Sequence, residues 1–183
     1  MLEFNYDLNY KELDFTDEET RKLYRIGRGE QGVLLVRPYT DDICAHWRFK
    51  TPKIAIESAH AIFDMYLDYL EQQDFIGMDM CRKFLEMGFT RSRRYANHRT
   101  GKKYDDEGKV RPQEPDHATC DFAKSARIFK NVRDMVAKNE IYINMRKEWR
   151  SNESTHASRV DALAAASNVK RSFYSRRSNE VSR

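Results

Sequence analysis

The stretch from Thr51 to Glu71 limits the fold more than any other feature of the chain, because it reads as one amphipathic helix. Thr51 supplies a cap, and Pro52 sits at the first helical position, where its missing N–H costs nothing. Ile56, Ala59, Phe63, Tyr66, Leu67 and Leu70 recur at spacings of three and four, while Lys53, Glu57, His60, Asp64, Asp68 and Glu71 line the opposite side. A helix with a single apolar stripe must bury it against other elements, so the spacing predicts a helix packed on a shared core. More helices follow. Asp74 caps a second one to Met87, with Gly88 in the place of a left-handed stop, and Thr90 opens a short third one to His98 or Arg99, ahead of Gly101. Asp116 starts a longer helix to about Lys138, with Phe122, Ala126, Phe129 and Val136 turned inward, and "EIYINMRKEWR" reads as the last.

The first fifty residues carry a weaker pattern. "FTDEETRKLY" reads as a capped turn or short helix, Thr16 capping with Glu19 three residues on. "LYRI" and "VLLVRPY" read as two short strands around "GRGEQG", with "HWRF" as a third. The expected class is therefore α+β: mostly helical, about five helices, with a small N-terminal sheet of two or three strands.

At 183 residues the chain has room for one domain and a tail, placed here at 1–150 and 151–183. Beyond Arg150 the sequence turns rich in Ser, Asn and Ala, which predicts a flexible tail. The longest aliphatic run, Val33 to Val36, is far short of a membrane span, and the opening residues do not resemble a secretory signal; a cytoplasmic protein is expected, with no membrane partner. Cys44, Cys81 and Cys120 are odd in number and widely spaced, which favours free thiols. His60, Asp64 and Asp68 share a helical face, but that face must be polar in any case, so neither a metal nor a cofactor is expected.

Charge is distributed unevenly. Residues 159–183 hold six basic and two acidic side chains, which accounts for the whole net charge of +4 and leaves the remainder neutral. Within that neutral body, residues 1–26 hold seven acids against four bases, whereas "GFTRSRRYANHRTGKKY", 88–104, holds six Lys or Arg and no acid. If its first part is helical, Arg91, Arg94, Tyr95 and His98 fall in one stripe. Guanidinium groups grip phosphate or carboxylate in pairs of hydrogen bonds and tyrosine rings stack on bases, so the mixture suits nucleic acid or another polyanion. The competing reading pairs these arginines with the domain's own acids.

Two other motifs carry less. Gly27, Gly29 and Gly32 match G-x-G-x-x-G, but no helix follows to face a pyrophosphate, and a tight polar connection is expected instead, from which Arg28 could still reach a site. "HWRF" packs two aromatics, a His and an Arg into four residues; His46 and Arg48 on one face could form an anion pocket with Arg91 or Arg94.

With "RIGRGEQGVLLVRPY", "HWRFKTP", "MGFTRSRRYANH" and "GKKYD" in order, the chain resembles an uncharacterised family of small proteins of bacteria and their phages, domain of unknown function 4385, over Tyr6 to Trp149. The resemblance implies a bacterial or phage source and a compact unit joining the Gly loop, "HWRF" and the basic segment. It supplies no catalytic residues.

The expected function is binding of DNA, RNA or a similar polyanion through Arg91, Arg93, Arg94, Tyr95, His98, Arg99, Lys102, Lys103 and Tyr104, assisted by the basic tail. The alternatives are a small enzyme with an anionic substrate, built on Arg28, His46, Arg48, Arg91, Arg94 and His98, and an assembly protein docking through residues 151–183.

Overall fold

The chain folds around one long buried helix, as the computed structural model shows; it describes residues 3–153 and 155. The helices are α1 (Glu18–Arg21), α2 (Tyr39–His46), α3 (Pro52–Glu71), α4 (Phe75–Asn97) and α5 (Asp121–Ala137), followed by α6, residues 140–153. Thr51 caps α3 through Ile54 N–H, and the Asp74 carboxylate caps α4 through Ile76 and Gly77. Asp17, rather than Thr16, caps α1, and α5 starts at Asp121, five residues after Asp116.

Helix α4 is buried on every side over its first half: each residue from Phe75 to Leu85 is covered. Such a helix needs packing partners all round. Helices α3 and α5 pack against it, α6 closes a further side through Tyr142 and Trp149, and the N-terminal fifty residues wrap over the remainder. Gly88 does not end the helix. It lies in its middle, where an added Cβ would sit 2.5 Å from Cδ1 of Phe129 on α5, so the absence of a side chain sets how closely the two helices approach. Ser92 and Ala96, one and two turns on, are also buried on this helix. The buried stripe of α3 consists of Ala55, Ser58, Ala59, Ile62 and Tyr66, and Ile56 and Leu67 are exposed.

The expected N-terminal sheet is absent: among the described residues there is no strand, and the only bridge joins Tyr104 to Val110 in a hairpin. The class is all-helical. "VLLV" forms successive turns, with Val33 N–H donating to Glu30 O and Leu35 N–H to Gly32 O, then enters α2. Its Val33 and Val36 are buried while Leu34 is exposed; a four-residue apolar run is equally suited to a strand and to turns pressed on a core. Of "HWRF", His46 ends α2 and the chain turns extended at Trp47, with no ladder partner. Trp47 Nε1 donates to the Phe84 carbonyl of α4 at 3.2 Å, and Arg48 N–H donates to Ser58 Oγ of α3 at 3.0 Å, so two helices satisfy it instead of a strand. The N-terminal segment is held largely by rings in contact, Phe4 on Tyr10, Tyr10 on Phe15, and Phe15 on Tyr24.

Candidate functional site

Three charged residues of α4 lie inside the molecule. Asp79 and Lys83 are fully buried and Arg82 nearly so. Asp79 accepts from Tyr24 Oη at 2.5 Å and from Tyr142 Oη at 2.6 Å, and Arg82 Nε donates to it at 2.9 Å. Lys83 Nζ is 3.7 Å from the same carboxylate, donates to the Gln31 carbonyl at 2.8 Å and lies over the rings of Tyr24 and Phe4. Burial alone would raise the Asp79 pKa, but the Arg82 and Lys83 charges and the two hydroxyl donors outweigh it and hold the carboxyl well below its ordinary range. Burial pushes the Lys83 ammonium down to about 8 against the pull of Asp79.

These cations hold the glycine loop from beneath. Arg82 reaches the Gly29 carbonyl at 3.3 Å as Lys83 reaches that of Gln31. Gly27, Gly29 and Gly32 all have positive φ, and a Cβ on Gly32 would lie 2.1 Å from the Phe4 ring, so the three glycines serve a sharp turn pressed against an aromatic core. The sequence carries a signal of this cluster: Asp79, Arg82 and Lys83 interrupt an otherwise apolar run, and charges spaced three and four apart there can meet one another.

The basic segment divides residue by residue. The Arg93 guanidinium donates to the His117 carbonyl at 3.0 Å and to Asn97 Oδ1 at 2.7 Å, stapling α4 to the turn before α5. Arg99 pairs with Asp116 at 2.8 Å and lies 3.9 Å from Glu114. His98 is buried, with Nδ1 unpartnered among the described residues. Arg94 and Lys102 are exposed, and no side-chain hydrogen bond or ion pair with a described residue engages them or the half-buried Arg91. Lys103 is exposed beside the Tyr104 ring at 5.3 Å. The domain's own acids therefore occupy Arg99 alone in this segment.

Tyr95 faces a different feature. Its ring lies 5.7 Å from Phe49 and 5.4 Å from Phe122, and Phe49 lies 5.0 Å from Trp47. With Ile54, Arg48 and Lys50 these rings line an open groove of about 810 Å³ between "HWRF", α4 and the start of α5. Arg28 and Arg91 meet elsewhere, in a second groove of about 350 Å³ that also involves Glu30, Leu34 and Tyr6. Arg28 lies 3.8 Å from Glu3, His46 is exposed at the end of α2, and the Arg48 guanidinium turns back onto the carbonyls of Cys44 and Trp47. The tail, apart from residues 151–153 and 155, lies outside the described residues.

Among the described residues no group of three or more His, Cys, Asp or Glu gathers as a metal site, and no helix is long and apolar enough to cross a membrane. Fold and surface together define an all-helical unit with a buried charge cluster and a cationic, aromatic face. The chain belongs to the family described as Domain of unknown function (DUF4385), whose model matches residues 5–152. No curated protein and no solved structure matches it.

Proposed function

We propose that this protein binds nucleic acid, or a polyanion of the same chemistry, through the C-terminal end of α4 and the hairpin that follows. The observation that carries this reading is the exposure of Arg94, Lys102 and Lys103 without a carboxylate partner among the described residues, on a segment, 88–104, that contains no acid. Cations also suit a helix C-terminus, where the peptide dipoles leave partial negative charge. Arg93 and Arg99 are outside the proposed contact set, since each holds the fold together.

An enzyme pocket has less support. Arg48 and Arg91 line separate grooves, His98 is buried and His46 lies exposed on α2.

Fluorescence anisotropy on labelled DNA and RNA across a salt series tests the proposal. On single strands the logarithm of the affinity constant should fall against the logarithm of salt by about 0.7 per phosphate neutralised. Arg94→Gln, Lys102→Gln and Lys103→Gln should each flatten that slope by about one phosphate's worth, and Arg99→Gln should leave it unchanged. Absence of binding to either nucleic acid at low salt ends the reading.

A further inference from the structure

We propose that the aromatic groove lined by Trp47, Phe49, Tyr95 and Phe122 is a subsite for unpaired bases, so that the protein selects single-stranded nucleic acid over duplex. The inference rests on the polyanion reading above and adds the part of the ligand that phosphate contacts cannot distinguish.

Four aromatic side chains from three parts of the chain converge there, and all four are only half-buried. Phe75, Phe84 and Phe129, inside the core, are by contrast covered. The centroids of the four groove rings stand 5.0 to 6.2 Å apart at tilts of 30° to 52°, and the rings line an open groove of about 810 Å³, within the range of a small-ligand site. Ring faces accept any base by stacking.

The charge around the groove identifies the occupant. Arg48 and Lys50 line it. Gly101 packs on the Tyr95 ring so closely that a Cβ would lie 3.0 Å from Cζ, and Lys102 follows it in the chain. Asp121, the acid adjoining Phe122, is already paired with Lys124 at 3.0 Å. An apolar peptide would cover the rings and offer these cations no counter-charge, whereas a nucleotide strand brings a flat apolar base and an anionic phosphate at every step. In a duplex the base faces are stacked on one another and cannot enter.

Three labelled ligands of equal length separate the contributions: a thymidine strand of about ten nucleotides, an abasic strand with the same phosphates, and a duplex. The thymidine strand should bind about tenfold or more tightly than the abasic strand and the duplex. Tyr95→Leu and Phe49→Leu should each remove most of that preference while leaving abasic-strand affinity unchanged; the wild-type comparison needs no variant and decides the matter even if one fails to fold. Equal binding of thymidine and abasic strands, or duplex binding as tight as single strand, overturns the base subsite and leaves phosphate binding standing. Binding of none of the three at low salt overturns both.

Discussion

Asp79 has four partners and no solvent, so nothing can replace it. Its carboxylate accepts from Tyr24, Tyr142 and Arg82 and faces Lys83. Asp79→Asn leaves the two cations buried without an anion, and the expected loss is about 3–5 kcal/mol in urea unfolding. A loss below 1 kcal/mol would mean that water reaches the cluster. At this scale sequence was informative in one place and mute in another. Charges inside an otherwise apolar run announce a buried network, whereas Arg93 and Arg94 are chemically identical neighbours. Which of them turns toward the fold depends on the rotation of α4 against the turn at His117, and no property of the residues encodes that.

Helix α4 shows how an element can be read correctly at one end and wrongly at the other. Asp74 was legible as its cap because a short acceptor before an apolar run has one good use. Gly88 was read as a stop, yet the helix continues to Asn97, because the glycine makes room for Phe129 rather than bending the chain. Gly88→Ala should therefore destabilise the protein by about 1–3 kcal/mol through overpacking, although alanine favours helix. Thermal unfolding checks this; an unchanged or raised midpoint would show that Phe129 swings aside without loss. The missing sheet has the same origin. "VLLV" is a short apolar run and "HWRF" alternates as a strand does, and the alternation in "HWRF" is real in its exposure, with Trp47 and Phe49 half-buried and His46 and Arg48 exposed. What a local pattern cannot state is whether a partner strand exists or two helices supply the bonds instead. On α3 the stripe was displaced by one residue at Ile56, which a period of 3.6 permits over a short window.

Across the whole molecule, the two ends of the described chain are tied together. Glu153 is buried and accepts from Ile26 N–H at 2.7 Å, and Trp149 Nε1 donates to the Tyr24 carbonyl at 3.1 Å. Ending the chain after Arg150 rather than after Glu153 should thus lower stability by about 1–3 kcal/mol, the cost of leaving a buried amide unpaired. Matched urea titrations of the two lengths measure it, and coincident curves would refute the role of Glu153. These contacts could not be read from sequence, because a Glu followed by Ser and Thr near a polar stretch has no periodic partner. The same ties bear on synthesis. The Tyr24 ring, at the end of the row begun by Phe4, Tyr10 and Phe15, packs on Phe75 of α4 and Trp149 of α6, and a growing chain offers its N-terminal segment to solvent long before α6 has left the ribosome. Until α6 emerges, this aromatic segment lacks part of its cover and is an unsealed surface on the growing chain.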